Sequence, residues 1–72
     1  MRIAILGFGK EGKAILNFLK KDKKFKKSEV WILDQNLNLI LPKNLPKNIK
    51  FQLGKNYLKN LNQFNIIFRS PG

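Results

Sequence analysis

The chain has no cysteine and no histidine among its 72 residues. Their absence removes disulfides, thiol nucleophiles, imidazole bases and the usual zinc ligands together. Carboxylates are scarce as well. Glu11, Asp22, Glu29 and Asp34 are the only four, and the element order read below places Asp22 and Glu29 at the end opposite the chain's one glycine motif. Catalysis by these residues alone is therefore not expected. No apolar run approaches the roughly 18 residues that a membrane-spanning helix needs, and Met1-Arg2 leads directly into a strand pattern rather than a targeting segment. The expected location is the cytoplasm, with no membrane partner. A chain of this length makes at most one small domain and cannot build a large, many-walled active site.

Positive charge, by contrast, is abundant: the formal net charge is +11, and Lys20, Lys21, Lys23, Lys24, Lys26 and Lys27 form a dense basic run. Such a run can bind phosphate backbones. No arginine or aromatic stacking pattern of a nucleic-acid module accompanies it, and the chain is rich in Asn and Ile, so the lysine excess fits a general compositional bias. A solvated lysine face is the expected role, and nucleic acid is not an expected partner.

The organising stretch is Met1 to Gly12, MRIAILGFGKEG. The apolar run Ile3-Ala4-Ile5-Leu6 is followed at once by Gly7, Gly9 and Gly12 in the spacing G-x-G-x-x-G, and then by a helical pattern. Gly7 lets the chain leave the strand in a tight turn, Gly9 lets backbone N–H groups approach a phosphate, and Gly12 lets the helix pack close to the strand. The helix start offers unpaired N–H groups and a partial positive charge to an anion. The competing reading is a purely structural tight turn, but the position between strand and helix favours a nucleotide-type ligand.

From Lys10 to about Lys21, Ala14, Ile15, Phe18 and Leu19 fall on one expected apolar helix face, with Lys13, Asn17, Lys20 and Lys21 mostly on the other. Val30 to Leu33 reads as a second buried strand, ending at Asp34, 22 positions after Gly12. That is close to the spacing at which dinucleotide folds set an acid against a ribose hydroxyl, while the plainer alternative is that Asp34 caps the following turn. Trp31, inside the strand, is expected to be core.

Residues 35–48 read as an irregular connection with about one helical turn, interrupted by Pro42 and Pro46. Lys50 to Leu53 reads as a third strand with Phe51 and Leu53 on one face, ended by Gly54. A short helix is expected from Lys55 to about Gln63, its face made by Tyr57, Leu58, Leu61 and Phe64. Ile66 to Phe68 reads as a fourth strand before Arg69-Ser70-Pro71-Gly72. This alternation predicts an α/β fold: a Rossmann-like open parallel sheet of about four strands with right-handed crossovers. Parallel sheets need cover on both faces, and one good helix with one short one is little cover. The expectation is that residues 1–72 are the N-terminal piece of a larger multidomain enzyme.

G-F-G-K-E-G after the first strand, D-Q-N after the second and R-S-P-G after the fourth resemble the first domain of the Mur ligases, and within them the D-glutamate-adding branch. The resemblance spans essentially the whole chain but about the first sixth of such an enzyme. It implies a Rossmann-like domain that holds the UDP part of UDP-N-acetylmuramoyl-L-alanine. Gly9, Lys10, Glu11 and Gly12 would meet the diphosphate, largely through backbone N–H groups, with Lys10 adding charge. Asp34, Gln35 and Asn36 would lie beside the uracil and ribose, and Ser70, Pro71 and Gly72 would form a further wall.

Two positions depart from the family pattern. Glu11 stands where a small hydroxyl residue is common, and a carboxylate near a diphosphate is unfavourable unless it points away or pairs with a cation. Gln35 and Asn36 replace a Thr-Arg type pair. In the intact family enzyme ATP, with Mg2+, activates the substrate carboxylate and the amine of D-glutamate attacks the acyl phosphate. Those steps belong to a central ATPase domain and a C-terminal domain. This chain has no G-x-x-x-x-G-K-[ST] loop, so no cofactor and no ligase activity are expected of it alone. An NAD(P)-binding Rossmann domain of a dehydrogenase or regulatory protein is the alternative that shares the glycine turn and Asp34.

Overall fold

The computed structural model describes residues 1–23, 25, 27–43, 45 and 48–69. Its elements run β1 (Arg2–Leu6), α1 (Lys10–Lys21), β2 (Glu29–Asp34), β3 (Ile49–Leu53), a 3₁₀ turn (Leu61–Gln63) and β4 (Ile66–Arg69). The four strands form one sheet in the order β3-β2-β1-β4, and every pairing is parallel. This is the expected Rossmann-like α/β sheet.

Strand alternation assigns the two faces. Ile3 and Ile5 pair in register with Val30 and Ile32 on one side and with Ile66 and Phe68 on the other, and this face packs against Leu16 and Leu19 of α1. Ala4 and Leu33 lie on the opposite face, where Phe64, Tyr57 and Leu61 cover them. Ile3, Ile5, Ile32 and Leu33 are fully buried, each stabilising the fold by about 1.5–3 kcal/mol.

The helix has the expected bounds, and Leu19 and Ile15 of the expected face do pack inward, but the face is rotated from the expected one. Gly12, Leu16 and Leu19 are buried, whereas Ala14 is exposed and Phe18 keeps 55% of its surface. Gly12 sets this rotation. A Cβ there would stand 2.3 Å from the Gly7 carbonyl oxygen, so the glycine side of the helix must face the β1 turn. At about 100° per residue, Leu16 and Leu19 then share its side while Ala14 and Phe18 turn away.

The second covering segment is not the helix expected over Lys55–Gln63. Tyr57 and Lys59 donate i→i−3 bonds to Gly54 and Asn56 at 3.2 and 3.1 Å, and Asn60 is left-handed at φ 58°. The Gln52 side-chain amide takes the carbonyls of Tyr57 and Lys59 at 2.9 and 2.7 Å. Those acceptors are lost to any α-helical ladder, and the asparagines at 56, 60 and 62 are weak helix formers. Tyr57, Leu61 and Phe64 nonetheless reach the sheet as expected, while Leu58 is exposed.

In the connection 35–48 the described residues contain turns and no helix; Pro46 lies outside them. Phe51 on the β3 edge is also exposed. Of the lysine run, Lys20, Lys21, Lys23 and Lys27 are exposed, and Lys24 and Lys26 lie outside the described residues. Among the described residues no helix is long and apolar enough to cross a membrane.

Candidate functional site

The strand order places the site. From β1 the chain steps to β2 and β3, then returns to the other side of β1 as β4, with α1 over one face and 54–64 over the other. In open α/β sheets, ligands bind beyond the strand C-termini where the order reverses. Here that point is the end of β1 and β4, where Leu6 lies in register with Arg69. Ser70, Pro71 and Gly72 follow Arg69 and lie outside the described residues.

The turn Gly7–Gly12 hangs over this end. Gly7 adopts φ 89°, which side chains disfavour, and its N–H donates to the Leu33 carbonyl at 2.7 Å. Gly9 is the N-cap residue of α1, at φ −84° and without a side-chain cap. The first helical bond runs from the Lys13 N–H to the Gly9 carbonyl at 3.0 Å. The N–H groups of Lys10, Glu11 and Gly12 precede it and have no partner one turn back.

Gly9 and Gly12 differ in what they require. A Cβ on Gly12 would collide with backbone; one on Gly9 would meet nothing within 4 Å. Among the described residues neither packing nor dihedral strain calls for glycine at position 9. Gly9 borders open space on the surface where a ligand would approach.

Asp34 is joined to this turn. Its Oδ2 accepts the Phe8 N–H at 2.8 Å and its Oδ1 accepts the Asn36 N–H at 2.8 Å, while its backbone carbonyl accepts the Gly54 N–H at 2.9 Å. The turn-capping reading of Asp34 is therefore realised, and a brace to the glycine turn accompanies it. Any sugar hydroxyl would have to share oxygens that already hold two amides. Asn36 in turn accepts the Asn38 N–H at 2.9 Å, and Gln35 and Asn36 are exposed on the rim.

Sequence reasoning gave Phe8 no role, yet its ring is 2% exposed in the main core while its N–H holds Asp34. The visible signal was an aromatic residue set between two glycines of the turn. Lys10 and Glu11 are exposed, and among the described residues neither forms an ion pair. At about 100° per residue Glu11 leaves α1 on the flank opposite Lys13, so it does not pair with Lys10 but stands in the first turn, where a carboxylate favours the helix dipole.

The opposite rim holds Glu29 and, at the α1 C-terminus, Asp22, away from the turn as expected. Glu29 receives Lys50 Nζ at 2.6 Å, Arg2 Nε at 3.2 Å and the Trp31 Nε1–H at 3.2 Å. The hydrogen bond from Lys50 holds its carboxyl below the ordinary 4.5, with Trp31 and Arg2 adding to the effect against partial desolvation. Trp31 is half-buried rather than fully in the core: it packs edge-on against Phe64, centroids 5.7 Å apart, with Lys50 over its ring.

A parallel sheet with a G-x-G-x-x-G turn between β1 and α1 defines the class as a Rossmann-like α/β domain. The family model for the Mur ligase MurD-like N-terminal domain matches residues 1–72, and the chain belongs to that family. It is 31% identical over 74 aligned positions to the UDP-N-acetylmuramoylalanine--D-glutamate ligase of Clostridium tetani. The match covers 97% of this chain and 15% of that protein. No solved structure gives a significant match.

Proposed function

We propose that residues 1–72 are the N-terminal, UDP-substrate-holding domain of an ATP-dependent ligase that joins D-glutamate to UDP-N-acetylmuramoyl-L-alanine in cytoplasmic peptidoglycan precursor synthesis. The observation that carries this reading is the space that the described residues leave open at Gly9, beside helix amides without a partner one turn back. A diphosphate fits both the unobstructed approach and the donors. In this arrangement Gly9, Lys10, Glu11 and Gly12 meet the diphosphate by backbone, and Lys10 contributes its ammonium. Asp34, Gln35 and Asn36 face the uracil and ribose, and Ser70, Pro71 and Gly72 complete the wall beyond β4. The carboxylate of Glu11 weakens diphosphate binding relative to a hydroxyl residue at that position.

ATP and Mg2+ belong to the other domains of the same enzyme. The sequence here holds no Walker-type loop, and among the described residues no cluster of Asp and Glu could hold a metal ion. No chemical step is assigned to these residues. Their work is to hold and orient the substrate.

The test is a chemical-shift titration of the labelled chain with UDP-N-acetylmuramoyl-L-alanine, UDP and NAD in parallel. Movement of the Gly9–Gly12, Asp34–Asn36 and Ser70–Gly72 amides with the uridine ligands and not with NAD is the expected result. The same movement with NAD alone would replace this reading with a dinucleotide domain. Gly9→Ala sharpens the test: it should leave the urea midpoint essentially unchanged, because its Cβ meets nothing, and weaken uridine binding roughly tenfold by obstructing the approach of the phosphates.

A further inference from the structure

We infer that Leu37 is the apolar platform of the nucleotide site, the side chain on which the pyrimidine ring of a uridine diphosphate lies, so that it sets the preference for a nucleoside over a bare diphosphate. This rests on the uridine-site reading above and extends it to a residue outside the groups named there.

Leu37 is 70% exposed, yet it is held on both sides and from below. The Asn36 N–H donates to Asp34 Oδ1 at 2.8 Å and the Asn38 N–H to Asn36 Oδ1 at 2.9 Å, so two successive turns closed by side chains fix the backbone around it. Beneath lies Gly54, buried at the end of β3. A Cβ on Gly54 would stand 2.8 Å from Leu37 Cδ2 and 3.2 Å from its Cγ, so the missing side chain is what seats the leucine. One face of Leu37 rests on backbone, and the other is presented to the rim.

The strand spacing sets this face at a nucleoside's reach from the phosphates. The Gly54 N–H donates to the Asp34 carbonyl at 2.9 Å, continuing the ladder past the Asp34–Leu53 pair, so Leu37 lies over the end of β3, two strands from β1 and its glycine turn. At about 4.8 Å per strand this is roughly 10 Å, with Asp34 midway. A nucleotide laid along the rim puts its diphosphate over β1, its ribose over β2 and its base over β3.

Small-molecule sites join apolar contact with a few polar groups that fix orientation. Leu37 supplies the contact to the ring face, and Gln35 and Asn36 stand exposed beside it for the ring edge. Nearby aromatic rings are committed elsewhere: Phe8 is buried in the main core, while Trp31 and Tyr57 pack with Phe64 against the sheet.

The test follows methyl- and amide-labelled chain with UDP and, separately, with inorganic pyrophosphate. Both should move the Gly9–Gly12 amides, and UDP should also give intermolecular nuclear Overhauser effects from its uracil ring protons to the Leu37 methyls. Leu37→Ala should weaken UDP about fivefold to tenfold and leave pyrophosphate unchanged. Leu37→Met, which keeps an apolar surface, should restore most of the UDP affinity; Ile40→Ala, which removes an exposed apolar chain from the same loop, should change neither ligand.

Uracil contacts to Ile40 or Leu41 instead, or to no methyl, would overturn the assignment and leave the uridine-site reading standing. Equal weakening of UDP and pyrophosphate by Leu37→Ala would overturn it too, because the leucine would then only support the loop. Gly9–Gly12 amides that ignore UDP would sink the uridine-site reading, and this inference with it.

Discussion

The two rims of the sheet use their polar groups in opposite ways. At the N-terminal rim, side chains satisfy one another: Lys50, Arg2 and Trp31 all converge on Glu29. At the C-terminal rim, the Asp34 carboxylate instead binds backbone N–H groups of the two adjoining turns, and among the described residues no side chain caps the first amides of α1. The first arrangement is closed on itself. The second fixes the shape of a surface while leaving donors for something else, which is the difference between a structural cluster and a binding surface in the same small sheet.

Three substitutions would break or sharpen that contrast. Gly12→Ala has the largest expected effect. Its Cβ would lie 2.3 Å from the Gly7 carbonyl oxygen, and relieving this requires moving backbone, a loss of about 3 kcal/mol or more. Denaturant melts should show a chain that is largely unfolded or strongly shifted.

Asp34→Ala comes next. It strands the Phe8 and Asn36 amides, at about 1–3 kcal/mol, and should lower both the urea midpoint and uridine-ligand binding. A loss of stability with binding intact would mean that the two rims do the same structural job.

Glu29→Gln has the smallest effect, a loss of stability seen at neutral pH that disappears in acid. Because the folded carboxyl is held below 4.5, its contribution is present above that pH and lost as pH falls through the lowered value. The variant should therefore show a shallower acid limb in a pH series of thermal melts, with neutral-pH uridine binding unchanged.

Much of this was legible in the sequence, for physical reasons that differ by element. Short apolar runs bounded by Gly, Asp and Asn located β1, β2 and β4, while the edge strand β3 showed itself by the alternation of Ile49, Phe51 and Leu53 with Lys50 and Gln52. The glycine spacing located the turn. The helix face was read in part, with Ile15 and Leu19 right and Ala14 and Phe18 wrong, because glycine counts as nothing in a hydrophobic pattern, yet Gly12 is the position that must face inward; starting the pattern from it adds Leu16. The 55–63 segment has helical apolar spacing, but the Gln52 side chain, five and seven residues upstream, holds the carbonyls of Tyr57 and Lys59, a side-chain bond that a hydrophobic pattern does not register. Asp34 was recognised as a rim residue. Its partner Phe8 was not, because the bond uses a backbone N–H that every residue type possesses.

The bonds around Asp34 also bear on how this rim opens. One residue accepts amides from the β1 turn, from its own turn and, through its carbonyl, from Gly54 at the end of β3. Loosening at any of these points withdraws support from the other two, so Phe8, Asn36 and Gly54 should exchange their amide protons as a single cooperative unit. A ligand seated on the glycine turn would then slow exchange at Gly54, two strands away, without touching it.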